Sequence, residues 1–272
     1  MRIFDSHTHY NDEKFELDLE ETLQKVRNSG VENLICSGCD VETSRTAIEL
    51  ANKYQYIYAT IGISPNDIPN NNIFEKTLDE QLKQIKELAK DPKVLAIGEI
   101  GLDYYWNKEN KEEQKLAFKK QIELSNELNL PIVIHTRDAI SDTIDILKNQ
   151  NPVINKGVFH CCPLNLDLIR EALKLGFYIS FAGPITFKNS KNATEAISSV
   201  PINKILIETD SPCLAPEPKR GTRNDSSNLI YIIQKIAEVK QMSAEEIAKI
   251  TYENAQNIFK IKPNWVINWV LF

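Results

Sequence analysis

The chain holds only four histidines, His7, His9, His135 and His160, and every one of them stands at the end of a short apolar run. Acidic residues close two further runs: Glu99 lies in G-E-I-G-L-D, and Glu208 and Asp210 lie in E-T-D. On an extended chain, residues i and i+2 point the same way, so the imidazoles of His7 and His9 can reach one ion. Imidazole and carboxylate together suit zinc, manganese, iron, cobalt or nickel, with magnesium also open. Glu99 can bridge two ions, because a carboxylate offers two oxygens and several lone pairs. Asp210 can complete the first ion's shell and take a proton from a bound water. Two ions about 3.5–4 Å apart stabilise both the attacking and the leaving oxygen of a displacement. Any one of these histidines, taken singly, reads as a core or surface residue. Together they read as the centre of a metal-dependent hydrolase using two divalent ions.

Such a cluster needs elements that bring the run ends to one place. Apolar runs at 2–4, 33–37, 57–63, 94–100, 132–135, 157–160, 177–181 and 205–208 read as buried strands. Amphipathic stretches fill the gaps, at 17–29, 41–53, 78–90, 112–129, 139–149, 166–175, 193–200 and 228–240. Leu17, Leu19, Leu23 and Val26 form a stripe on the first, which ends at Gly30, and Asp40 is a fitting N-cap for the second. Eight strand–helix alternations imply parallel strands with right-handed crossovers, and predict a closed (β/α)8 TIM-type barrel. Strand C-termini then converge on one mouth, where barrel active sites lie. No glycine-rich phosphate fingerprint follows the first strand, which argues against a Rossmann fold. Two short helices, at 244–250 and 252–259, are expected after the barrel, with Ser243 and Glu246 as a capping box for the first.

Length and composition agree with that architecture. A chain of 272 residues with 42% apolar and 26% charged residues matches one soluble domain over 1–260. No signal-like apolar leader or membrane-length apolar stretch is present, so the cytosol is the expected compartment. A net charge of −6 argues against coating nucleic acid by bulk electrostatics, though divalent ions would add local positive charge. Five cysteines read as reduced thiols, and the C-x-x-C of Cys36 and Cys39 as structural thiols at a strand end. The last stretch, 261–272, is strongly apolar and aromatic; it reads as a tail packed on the barrel or as a subunit contact, in a monomer or weak homo-oligomer.

Other mouth residues admit a sharp and a plain reading. Arg137 follows His135 by two and faces the same way, which makes it a phosphate clamp. The basic loop 219–223, with Arg223, is either a solvated loop or a contact to a nucleic-acid backbone. Tyr104, Tyr105 and Trp106 either stack on bases or pack against the rim. Asp103 is either a helper or a capping acid, and Glu208 either supports a metal ligand from behind or forms a structural ion pair.

The ordered set D-S-H-T-H (5–9), G-E-I-G-L-D-Y-Y (98–105), I-H-T-R (134–137), F-H-C (159–161) and E-T-D-S-P-C-L (208–214) resembles the TatD family of metal-dependent deoxyribonucleases, within the amidohydrolase superfamily. The resemblance runs from residue 3 to about 260. It implies a TIM-type barrel in which His7, His9, Glu99 and Asp210 hold one ion and Glu99, His135 and His160 hold the other. It further implies DNA phosphodiester hydrolysis by a metal-activated water, of the 3′–5′ exonuclease type, on single-stranded DNA or 3′ ends. Three positions depart from the family pattern. Ser64 stands where the family has a histidine that handles phosphate or water, Cys162-Pro163-Leu164 replace an aromatic, a Ser and a Gly, and Arg223-Asn224-Asp225-Ser226 replace R-N-E-P. These changes bear on substrate contacts, Ser64 and Arg223 among them, and leave the six ligand positions in place. An amide, ester or phosphotriester hydrolase with the same site is the alternative reading. A binding protein that keeps its metals without efficient turnover is a third.

Overall fold

A computed structural model of the chain describes residues 1–68, 74–150 and 152–261. Eight parallel strands follow one another around a single sheet in sequence order: β1 (Ile3–Thr8), β2 (Val31–Ser37), β3 (Ile57–Ile61), β4 (Val94–Asp103), β5 (Ile132–Arg137), β6 (Gly157–Phe159), β7 (Tyr178–Phe181) and β8 (Ile205–Ile207). The seam between β8 and β1 is held by a parallel bridge of Thr8 to Ser211 and by backbone bonds from Asp210 N to His7 O (3.0 Å) and His9 N to Ser211 O (2.7 Å). Helices α1 (Leu19–Asn28), α2 (Val41–Lys53), α3 (Phe74–Leu88), α4 (Lys111–Leu128), α5 (Ile140–Asp145), α6 (Leu166–Lys174), α7 (Ala193–Ser199) and α8 (Leu229–Lys240) fill the crossovers. The expected (β/α)8 barrel is present.

Side-chain alternation along the strands builds the interior in layers. Phe4, Ile35, Ala96, Val133, Val158 and Leu206, one from each of six strands, form an apolar layer. Two residues further on in the chain, within the strand or just past its end, stand Ser6, Ser37, Gly98, His135, His160 and Glu208. The polar layer at the mouth is therefore the apolar layer advanced by one pleat. Gly98 is needed where it stands, since a Cβ there would come within 2.5 Å of the Val133 side chain. The larger cluster of apolar side chains lies outside the strands, between barrel and helices.

Several helix boundaries differ from expectation. The first helix starts at Leu19, two residues late, and Leu17 is 99% exposed instead of lying on the buried stripe. Asp18 is the N-cap of that helix: its carbonyl accepts from Thr22 N at 2.9 Å, and its carboxylate is held by Arg223. The two short C-terminal helices are one helix, α9 (Ala244–Ile258). Thr251, at the expected break, returns its hydroxyl to Ile247 O (2.8 Å), and the turn continues. The Ser243–Glu246 capping box and the Asp40 N-cap both form. Helix α9 closes the end of the barrel opposite the mouth: Tyr252, Ala255, Ile258 and Phe259 pack on the apolar interior layer. The apolar stretch 262–272 lies outside the described residues. No helix among the described residues is long and apolar enough to cross a membrane.

Candidate metal centre

The six expected ligands meet at the mouth, and Glu99 is at their middle. Its Oε1 lies 2.8 Å from His135 Nδ1 and 3.3 Å from His160 Nε2. Its Oε2 lies 3.3 Å from His7 Nε2 and 3.8 Å from His9 Nε2. Asp210 joins the second pair, with Oδ1 3.4 Å from His9 Nε2 and 3.7 Å from His7 Nε2. The ligand atoms of His7, His9 and Glu99 lie within 4.8 Å of one another; so do those of Glu99, His135 and His160, and those of His7, His160 and Asp210.

Each imidazole presents one nitrogen to this centre and commits the other behind it. His135 Nε2 meets Asp103 Oδ2 at 2.9 Å, and His160 Nδ1 meets Glu208 Oε1 at 3.3 Å. His7 Nδ1 faces Ser37 Oγ at 3.2 Å, and His9 Nδ1 faces the Ser37 carbonyl at 3.2 Å. Such outer partners fix the tautomer that leaves the inner nitrogen as a lone pair. The inner nitrogens then crowd: His7 and His9 Nε2 are 3.1 Å apart, as are His135 Nδ1 and His160 Nε2. Lone pairs so placed call for a cation between them, and imidazole with carboxylate is a donor set that divalent transition ions accept. Glu208 adds a buried oxygen, Oε2, with no hydrogen-bond partner among the described residues. The residues fit a divalent metal centre built around Glu99.

Burial and mutual contact shift the ionisation of these groups in opposite directions. Burial alone would raise the Glu99 carboxyl, but His160, His135 and His7 outweigh it and hold its pKa well below the usual range. Burial likewise opposes ionisation of Asp210, and the hydrogen bond from His9 with the charges of His7 and His160 overrides it, so its pKa is lowered. Burial lowers the pKa of His7. Burial would do the same to His160, yet Glu99 and Glu208 raise it well above its ordinary value.

Backbone geometry aims two of these groups. Asp210 and Cys161 adopt left-handed conformations, φ 55° and 37°. Aspartate tolerates that region better than most residues, and such turns concentrate at functional sites. Asp5 ties the two sides of the seam together. It accepts from Thr209 N (3.0 Å) and Thr209 Oγ1 (2.6 Å), and burial pushes its pKa up to about 7.

The remaining mouth residues separate. Glu208 turns inward and accepts the Cys161 N–H at 2.6 Å. Arg137 makes no salt bridge among the described residues; its guanidinium lies 3.6 Å from the Tyr105 ring centre and 5.5 Å from that of Trp106. Arg223 donates to Asp18 Oδ1 (2.8 Å) and Oδ2 (2.5 Å) in a partly exposed ion pair. Ser64 is buried, and its hydroxyl accepts from Asn66 N at 3.2 Å, capping a short 3-10 turn (Pro65–Asp67). Asn224 is fully buried and donates to Thr209 O and Cys213 O. The tyrosines divide: Tyr104 is buried with its hydroxyl on Asp142 (2.7 Å), whereas Tyr105 and Trp106 are 50% and 68% exposed. Cys39 is a free thiol whose Sγ lies 3.9 Å from His9 Nδ1. Ser37 and Asp5 were not singled out by the sequence, although one ends a strand run and the other opens D-S-H-T-H.

Comparison with known proteins agrees with this geometry. A family model described as TatD related DNase matches residues 4–260. An uncharacterized metal-dependent hydrolase of Bacillus subtilis, YabD, is 44% identical over 95% of this chain and 99% of its own. Another from Escherichia coli, YcfH, is 32% identical over 96% of this chain and 97% of its own. The crystal structure of an Escherichia coli TatD homologue, YJJV, superimposes with a TM-score of 0.88 at 27% identity, covering 96% of this chain and 99% of that one. A family model spanning nearly the whole sequence, over a mouth that gathers the family's ligand types, establishes that this chain belongs to the TatD-related metal-dependent hydrolases.

Proposed function

We propose that the chain is a deoxyribonuclease that hydrolyses phosphodiester bonds from 3′ ends at a two-ion site. The observation that carries this reading is the division of Glu99, one oxygen toward His7 and His9 and the other toward His135 and His160. In this reading His7, His9, Glu99 and Asp210 would hold one divalent ion, and Glu99, His135 and His160 the other. Bound ions would acidify water and polarise a phosphoryl oxygen. Asp210, whose lowered pKa keeps it a carboxylate at neutral pH, acts as the general base on the attacking water. Arg137, stacked on Tyr105 with no salt bridge among the described residues, keeps its N–H edge for a phosphate. Arg223 would have to leave Asp18 to do the same, so Arg137 is the stronger clamp. Ser64 acts through the turn it caps, not as a proton donor to substrate.

Replacing Asp210 by Asn keeps the side-chain shape and removes the base. Metal-dependent cleavage of a 5′-labelled single-stranded oligonucleotide should fall by roughly 10²–10⁴-fold, with the circular dichroism spectrum unchanged. Undiminished turnover would remove the base role. In the wild type, a ladder shortening one nucleotide at a time marks 3′ exonuclease action, and internal fragments mark an endonuclease. Turnover of small esters or amides with DNA left intact would favour the amidohydrolase alternative.

A further inference from the structure

Tyr105 and Trp106, two of the few large apolar side chains left exposed among the described residues, sit side by side at the mouth end of β4. Their rings meet edge to face, 4.9 Å apart at 87°, and the Arg137 guanidinium covers the Tyr105 face. Leaving so much aromatic surface in water is unfavourable unless something covers it. This pair is also anchored to the metal centre. Asp103 Oδ1 accepts the backbone N–H of Tyr105 (2.9 Å) and of Trp106 (3.1 Å), while its Oδ2 holds His135 Nε2 at 2.9 Å. Arg137 lies two residues beyond His135 on β5, and the backbone of Tyr104 bonds to Arg137 O at 2.9 Å. One carboxylate and one strand pair therefore fix the spacing between a candidate ion ligand and an aromatic–guanidinium surface.

We infer that Tyr105, Trp106 and Arg137 form a platform on which an unpaired nucleobase next to the scissile phosphate stacks, with Trp106 as its main face. The inference rests on the phosphodiester reading above and adds the part of the substrate that is recognised. Every base has a π-face, so the platform is indifferent to sequence but requires a base free of its duplex partner. Guanidinium beside the rings supplies charge for the adjoining phosphate and stacks in its own right.

The test measures binding of the full chain to two fluorescein-labelled strands of ten units, oligothymidylate and an abasic deoxyribose strand, by anisotropy with Mn²⁺ and again in EDTA. The wild type should bind oligothymidylate about tenfold or more tighter than the abasic strand. Trp106→Ala should erase that preference, so that removing the ring and removing the base are not additive. Trp106→Phe should restore part of it. Equal affinity of the wild type for both strands, or additive losses, would overturn the platform. Cleavage is scored separately on the same strands. Base-dependent binding without cleavage in any divalent ion sinks the nuclease reading and leaves the platform standing; cleavage without base-dependent binding does the reverse.

Discussion

At the scale of single residues, the centre is organised less by the groups that would touch an ion than by those behind them. Four imidazoles can each bind through either nitrogen, and Asp103, Glu208 and Ser37 make the choice. His135 turns Nδ1 inward because Asp103 takes Nε2; His160 turns Nε2 inward because Glu208 takes Nδ1. Asp103→Ala should therefore weaken zinc binding by roughly 10–100-fold, read by competition with a chromogenic chelator. Asp103→Asn, which keeps an acceptor and loses the charge, should fall between. Wild-type affinity in the alanine variant would reduce Asp103 to the capping acid that it also is. The six inner positions were legible in sequence because type and strand-end placement sufficed. Asp103 was left between two roles because its partner, 32 residues away, depends on the register that sets Asp103 beside Arg137. Arg223 illustrates the converse: its residue type suited phosphate, and Asp18, 205 residues away, engages it; Ser64 is engaged locally, by the turn it caps.

Among the elements, the strands were readable and the helix ends less so. A buried parallel strand is an unbroken apolar run, so all eight were found, but in β1 and β4 the strand ran on past the expected end, whereas β6 and β8 stop just before His160 and Glu208. β1 continues through His7 to Thr8 and β4 through Glu99 to Asp103, because at the mouth polar side chains replace apolar ones without interrupting the ladder. That α9 is one helix and plugs the barrel could not be read from periodicity, which says which face is apolar but not what it meets. Helix α6 offers a test of how such elements are fastened. Glu171 pairs with Lys148, in the wide turn after α5 (Ile146–Gln150), at 2.6 Å and with Lys174 at 2.8 Å. Lys148 and Lys174 hold its carboxyl down to about 2. A depressed carboxyl contributes stability that is complete above its unfolded value of about 4.3 and lost as the pH falls through the folded one. Glu171→Gln should thus lower Tm slightly at pH 7, by the small amount expected of an exposed pair. That difference should shrink as the pH drops below about 4.5. A gap between the two proteins that stays constant down to pH 3 would assign the effect to something other than this charge.

Taken whole, the molecule is a scaffold whose catalytic face is one pleat away from its core, and whose opposite face is sealed by α9. Fold and family were accessible from sequence because eight alternations and five ordered motifs leave little room for another architecture. The substrate was less accessible, since the residues that would touch it lie at strand ends and in loops where neighbours, not residue type, set their availability. If divalent ions occupy the mouth, chelation should lower Tm of the wild type, and restoring Zn²⁺ or Mn²⁺ should raise it again. Asp210→Asn should show a smaller metal-dependent rise, and an identical rise would remove Asp210 from the ligand set. The seam gives that experiment a wider meaning. His7 belongs to the first strand with His9 just after it, and Asp210 follows the last, so an ion shared among them would fasten two points about 200 residues apart in the chain. Closing so long a loop restricts the unfolded chain by about 5 kcal/mol on the entropy scale used for covalent cross-links. An ion there would act as a reversible staple on the whole barrel, one whose closure follows metal supply instead of redox poise.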